Sequence, residues 1–115
     1  MSISIGTDIE EVSRSTNKVK DELFLNKVYT PAEVAYCNSK SSPAQHLAVR
    51  WCAKEAVVKA LAGFDISDVT YKEIEIFKNE NGVPQVKIEK YPELKTTLSL
   101  SHTKTYALAQ VLIQK

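Results

Sequence analysis

The sequence predicts a single α+β domain, residues 1–115, in which one long central helix packs on an antiparallel sheet. Three observations lead there. A strand-like alternation opens the chain, helix-capping devices punctuate its middle, and the last third alternates again with turn residues between the runs. That order, strand then helices then consecutive strands, suits segregated elements rather than a doubly wound sheet. The 115 residues, 43% of them apolar, allow one buried core, and no repeat, low-complexity tract or linker divides the chain.

The elements follow in order. Ile3, Ile5, Thr7 and Ile9 alternate with Ser2, Ser4, Gly6 and Asp8, so the isoleucines are expected to form the buried face of a strand and Asp8 to project from the other. Ser15 to Lys27 carries Val19, Leu23 and Phe24 at helical spacings, with Val28 just beyond, and predicts one helix. Thr30-Pro31-Ala32-Glu33 joins an N-cap hydroxyl, a proline at the first helical position and a glutamate at the third, opening a helix to about Asn38. Ser42-Pro43-Ala44-Gln45 repeats the device, and Gly63 is the next stop signal. These bound a helix of roughly 20 residues, ~30 Å long. Lys72 to Phe77 and Val83 to Ile88 alternate around Asn81-Gly82, a tight hairpin turn, and Thr97 to Ser101 with Tyr106 to Ile113 form a second hairpin connected through His102-Thr103-Lys104.

Charge and cysteine content exclude several classes. With 15 basic and 14 acidic residues the net charge is +1, too small a field for nucleic acid or an anionic membrane to be the main partner. No apolar run approaches the ~20 residues of a membrane span. Cys37 and Cys52, without a CxxC motif or a secretory leader, predict a reduced, cytoplasmic setting.

Chemistry is concentrated on the long helix, where Trp51, Glu55 and Lys59 form an i, i+4, i+8 row beside a stripe of Ala53, Ala56, Val57 and Ala60. Two readings of the row stand. Glu55 and Lys59 form an ordinary intrahelical ion pair worth ~0.2–0.5 kcal/mol, or Glu55 is a hard oxygen ligand and Lys59 a cation facing phosphate. Asp8, just past Gly6, is either a solvated strand-end aspartate or a second carboxylate for the same site. His102, beside Ser99, Ser101 and Thr103, either caps turn backbone or donates to an anion. With only His46 and His102 as possible bases, no serine triad can be argued.

Three segments taken together, IGTDIEEVSR at 5–14, RWCAKEAVVKAL at 50–61 and LSLSHTKTYALAQVLI at 98–113, resemble the small 4′-phosphopantetheinyl transferases of the holo-acyl-carrier-protein synthase type. The likeness includes Tyr29-Thr30, Glu33 and Asn81-Gly82-Val83-Pro84. It implies transfer of the phosphopantetheine arm of coenzyme A to a serine of an acyl carrier protein, release of 3′,5′-ADP, a Mg²⁺ requirement, and a homotrimer with active sites between subunits. By position, the resemblance makes Asp8 and Glu55 metal ligands and Lys59 the lysine near the pyrophosphate. It makes Arg50, Gly82, Pro84, His102 and Thr103 part of the nucleotide site, and Arg14 a residue facing the carrier protein. Lys18, Lys20 and Lys27 gather near Arg14 as a local patch for an acidic carrier, or as a solvated helix face.

Two positions depart from the family pattern. Ala62-Gly63-Phe64 stands where a Gly-Thr-Gly type loop is common, and Lys40-Ser41-Ser42 carries one basic residue where relatives often carry two or more, so a weaker or rearranged grip on the coenzyme's phosphates is expected. The alternative to an enzyme is a noncatalytic binding protein on the same fold that holds a carrier protein or nucleotide.

Overall fold

The computed structural model describes residues 1–115 in the order β1 (Ile3–Glu11), α1 (Ser13–Thr16), α2 (Glu22–Val28), α3 (Pro31–Asn38), α4 (Pro43–Ala62), a 3₁₀ turn (Tyr71–Glu73), β2 (Ile74–Lys78), β3 (Pro84–Ile88), β4 (Lys95–His102) and β5 (Tyr106–Gln114). β5 lies between β1 and β4 in a three-stranded antiparallel sheet, while β2 and β3 pair separately as a hairpin. The α+β class and the long helix are as the sequence predicts. α4 packs chiefly against β1 and β5. Its Ala48, Cys52, Ala53, Ala56, Val57 and Ala60 bury themselves with Ala107, Ala109, Val111 and Ile113 of β5 and with Ile74, Ile76 and Ile88 of the hairpin. No helix is long and apolar enough to cross a membrane.

Small residues bring this helix and sheet unusually close, which reverses the expected faces of β1. Gly6 is buried and Ser4, Asp8 and Glu10 are half-buried, whereas Ile3, Ile5 and Ile9 are 54, 60 and 61% exposed. A Cβ on Gly6 would lie 1.8 Å from the carbonyl oxygen of Ala56. Only glycine fits there, so the glycine-bearing face turns inward and the isoleucine face is left uncovered within one chain. Ser4 adds a hydrogen bond from its hydroxyl to the Ala60 carbonyl at 2.6 Å.

The helix expected over 15–27 is two helices. Asp21 caps α2 by accepting from the Phe24 amide at 3.1 Å, and a turn separates it from α1. An aspartate that bonds local backbone competes with helix continuation, and it overrides the apolar spacing. Leu25 and Val28 are still buried, but Leu23 is 86% exposed.

The capping box of α3 forms as expected, with Thr30 Oγ1 accepting from the Glu33 amide and Glu33 Oε1 from the Thr30 amide. That of α4 does not. Ser42 makes no side-chain cap, and Gln45 instead donates to the Thr103 carbonyl at 3.0 Å, tying the start of the helix to the β4–β5 turn. Gly63 ends α4 in ordinary right-handed geometry, φ −63°. In the β2–β3 hairpin Gly82 alone takes a left-handed φ of 77°, so the turn is not a two-residue Asn-Gly type. Asn79 organises a wider loop, its side chain accepting from the amides of Asn81 at 2.9 Å and Val83 at 3.0 Å.

Candidate active site

Alternation along β1 places Asp8 and Glu10 on the same inner face as Gly6, beside α4. Asp8, Glu55 and Lys59 therefore meet in one cavity of about 470 Å³, whose wall also includes Glu10, Arg14, Lys18 and Trp51. The intrahelical Glu55–Lys59 pair does not form. Lys59 Nζ reaches across to Asp8 Oδ1 and to the Thr7 carbonyl, both at 3.0 Å. Glu55 Oε1 accepts instead from the Tyr71 hydroxyl at 3.0 Å.

The second oxygen of Asp8, Oδ2, is buried and has no hydrogen-bond partner. An anionic oxygen in that condition is costly unless something positive meets it. The Glu10 carboxyl is pushed up to about 7, first by burial, then by the closeness and charge of the Asp8 carboxylate and the charge of Glu55, with Arg14 opposing. Around the cavity the carboxylates of Asp8, Glu10 and Glu55 face the cations Arg14, Lys18 and Lys59, of which only Lys59 is within salt-bridge distance of a carboxylate. No group of three or more His, Cys, Asp or Glu side chains is arranged to hold a metal by itself. A magnesium-like cation needs only one or two carboxylates and completes its octahedron with water and substrate phosphate, so Asp8 Oδ2 with Glu55 fits such a guest.

Among the basic candidates, Lys18 faces this cavity, its Nζ lying 4.3 Å from the centroid of Phe24 and 5.9 Å from that of Trp51. Arg14 lines the same wall. Lys20 does not. It opens onto a larger cavity of about 990 Å³ between α1 and the start of α4, shared with Gln45 and Lys104.

A second cluster uses the neighbouring row of α4, His46, Arg50 and Lys54. Arg50 is 3% exposed, with its guanidinium carbon 4.1 Å from the centroid of the Tyr36 ring and its Nε without a partner. Lys40 and Lys78 approach the same ring at 4.8 and 5.8 Å. The His46 ring stands 5.8 Å from Tyr36 and 6.4 Å from His102, and burial followed by the charges of Arg50 and His102 holds its pKa below the ordinary value. Lys78, from β2, adds a second lysine to the one that the 40–42 segment carries. Of the remaining candidates, Thr103 Oγ1 accepts from the Thr105 and Tyr106 amides and closes its turn. Gly82 and Pro84 sit at the end of the β2–β3 hairpin and line neither the Asp8 cavity nor the one beside Arg50.

Sequence reasoning missed Glu10, Tyr71, Lys78 and the buried Lys54. Glu10 carried a signal, standing two residues after Asp8 in the same alternation. Lys54, which drew no reading from the sequence, is fully buried beside Glu33 at 2.9 Å. Its Nζ also donates to the carbonyls of Tyr71, at 2.8 Å, and Ile74. Glu33 in turn accepts from the Ile76 amide at 2.7 Å, so this pair locks α3, α4 and β2 together behind the site.

Comparison with known proteins matches the chain along nearly its whole length. Residues 4–111 match the family model of the 4′-phosphopantetheinyl transferase superfamily. The holo-(acyl-carrier-protein) synthase of Thermodesulfovibrio yellowstonii is 43% identical over 112 residues, 95% of this chain and 96% of that protein. The crystal structure of the Bacillus anthracis holo-(acyl-carrier-protein) synthase in complex with CoA (3′,5′-ADP) superposes with a TM-score of 0.80 at 29% identity, covering 96% of this chain and 94% of that one. That of the Helicobacter pylori synthase in complex with coenzyme A gives 0.81 at 26% identity, covering 96% and 99%. With identity above two-fifths to a full-length relative and the same fold from end to end, the chain belongs to the 4′-phosphopantetheinyl transferase superfamily, among its holo-(acyl-carrier-protein) synthases.

Proposed function

We propose that this chain transfers the 4′-phosphopantetheine arm of coenzyme A to a serine of an apo-acyl carrier protein, releasing 3′,5′-ADP, with Asp8 and Glu55 as the residues that hold Mg²⁺. The observation that carries this is the meeting of Asp8, Glu55 and Lys59, from β1 and α4, in one cavity where a buried oxygen of Asp8 lacks a partner. Attack by a serine hydroxyl on the β-phosphorus of a pyrophosphate builds negative charge on bridging and nonbridging oxygens. When bound, Mg²⁺ supplies Lewis-acid stabilisation of that charge. Lys59, whose side chain is 54% exposed at the rim, supplies a second positive charge from the opposite side of Asp8. No covalent protein intermediate is required, because aligning the acceptor hydroxyl with the leaving group does much of the work of phosphoryl transfer.

Lys40 and Lys78, gathered with the buried Arg50 around the Tyr36 ring, supply positive charge suited to the nucleotide phosphates, with the His102 ring beside His46 as a further polar group. Arg14 and Lys18, at the mouth of the Asp8 cavity, suit an acidic carrier protein, with Lys20 on the adjoining cavity. The exposed Ile3, Ile5, Ile9 and Leu108 form one face of the sheet, which supports a homotrimer packed through it. Active sites between subunits would then give Gly82 and Pro84 a role in a neighbour's nucleotide site.

Incubation with Mg²⁺, coenzyme A and an apo-carrier protein tests the reading, with mass spectrometry of the carrier. The carrier gains the mass of one phosphopantetheine arm, and Glu55→Gln folds normally but loses about 10²-fold or more of the rate. No mass gain with several competent carriers, or full activity in the Glu55→Gln variant, overturns it.

A further inference from the structure

Tyr71 is held at three points by one turn of α4. Its ring centroid lies 4.8 Å from that of Trp51, its carbonyl accepts from Lys54 Nζ at 2.8 Å, and its hydroxyl donates to Glu55 Oε1 at 3.0 Å. Lys54 is itself fixed by the buried carboxylate of Glu33 and by the Ile74 carbonyl. The phenol therefore has little freedom to leave Glu55, although it comes from the 3₁₀ turn before β2 rather than from the elements that build the cavity.

We infer that Tyr71 is a positioning residue for cation binding: its hydroxyl fixes one oxygen of Glu55 and leaves the other, Oε2, as the single oxygen that the helix presents to a divalent cation. This rests on the assignment of Glu55 as a metal ligand. A half-buried helix glutamate without a fixed partner samples several rotamers, and binding a cation must freeze one of them. A donor that freezes it beforehand lowers that cost, and outer hydrogen-bond partners of metal-binding carboxylates are commonly worth 10–100-fold in metal affinity. Glu55 has no other partner within the protein: Lys59, the cation expected to pair with it, is turned to Asp8. The hydroxyl of Tyr71 is thus the only protein group that restrains this carboxylate.

Tyr71→Phe tests the point, because it keeps the ring against Trp51 and the carbonyl on Lys54 and removes only the hydroxyl. Mn²⁺ serves as the probe, its binding to the full chain in the presence of coenzyme A followed by electron paramagnetic resonance without any turnover. Wild type, Tyr71→Phe, Glu55→Gln and the double variant are compared, with thermal unfolding as the control for folding. The expected result is an Mn²⁺ Kd raised about tenfold in Tyr71→Phe, a larger loss in Glu55→Gln, and no further loss when both are combined. The wild-type Kd in Tyr71→Phe, with Glu55→Gln still weakened, overturns the role of Tyr71 and leaves the Glu55 assignment standing. Unchanged binding in Glu55→Gln overturns both, and an equal loss from the hydroxyl with or without Glu55 shows that it acts elsewhere and overturns the inference.

Discussion

Replacing Gly6 with alanine isolates the contact on which the site depends. The added Cβ would stand 1.8 Å from the Ala56 carbonyl oxygen, 2.8 Å from the Ala56 carbonyl carbon and 2.9 Å from the Ala60 amide nitrogen. Carbon atoms in favourable contact sit ~3.5–4.0 Å from their neighbours, so β1 and α4 must separate by more than about 1 Å. All three obstructing atoms are backbone, so no rotamer change relieves the clash. Overpacking of this kind costs roughly 1–3 kcal/mol and occasionally more, and the absence of any side-chain escape places Gly6→Ala at about 3 kcal/mol. In a domain of this size that is a fall in Tm of roughly 10 °C, read at one fixed protein concentration. Asp8 moves with the strand, and a misplacement of about 1 Å costs ~10²-fold in rate, measured below the lowered Tm. Gly82→Ala is the control, since its Cβ meets nothing within 4 Å and its only penalty is the left-handed φ of 77°, roughly 1–2 kcal/mol. An unchanged Tm for Gly6→Ala, or a larger loss for Gly82→Ala, refutes the close-approach reasoning.

Three further outcomes follow. Lys54→Met strands the buried Glu33 carboxylate, so urea unfolding should show a loss of ~3–5 kcal/mol, and adding Glu33→Gln should recover part of it. Burial pushes the Cys37 thiol up to about 11 and, with the charge of Asp8 adding, the Cys52 thiol up to about 12. Because an unfolded thiol ionises near ~8.5, the folded state holds more protons above that pH, and this contribution to stability, complete below ~8.5, is lost as pH rises through the folded values. Lys54, held below its usual pKa by burial, works in the opposite sense, so the difference in pH slope between wild type and Cys37→Ala is the quantity to read, and equal slopes would refute the assignment. Ile5→Lys, on the uncovered sheet face, should leave the subunit folded and shift sedimentation to the monomer, whereas an unchanged assembly would remove that face from the interface.

The sequence-level reading succeeded where the determinants are local. The α3 capping box, the limits of α4 and the positions of both hairpins rest on residues a few positions apart and fall where the sequence places them, although Ser42 does not cap α4, Lys72 and Glu73 lie in the 3₁₀ turn, and the Asn81-Gly82 turn is wider than expected. It failed where a distant partner decides. Asp21 split the predicted helix by taking the Phe24 amide, a choice that apolar spacing does not encode. The burial of Lys54 and Glu33 went unread because nothing local shows that α3, α4 and β2 close over them. At the site, the Trp51–Glu55–Lys59 row was legible, but the partner of each charge was not. Lys59 pairs with Asp8 from β1 and Glu55 with Tyr71, contacts that only the packed fold creates.

The misread face of β1 links the site to the proposed assembly. A strand sends successive residues to opposite sides, so Asp8 and Glu10 must share a face with Ser4 and Gly6, and Ile3, Ile5 and Ile9 must share the other. No register can bury the isoleucines against α4 and also carry Asp8 into the cavity. Turning the strand by one residue would gain apolar burial of ~1.5–3 kcal/mol for each isoleucine, yet it would remove Asp8 from Lys59 and drive side chains into the backbone of Ala56. The small-residue contact between Gly6, Ala56 and Ala60 settles that choice in favour of the site. Its consequence is an apolar sheet face, continued by Leu108 opposite Ile9, that a single chain leaves in water. A fold that selects the even positions of its first strand for a carboxylate site therefore leaves the odd positions as an uncovered apolar face, the surface through which the proposed homotrimer would pack.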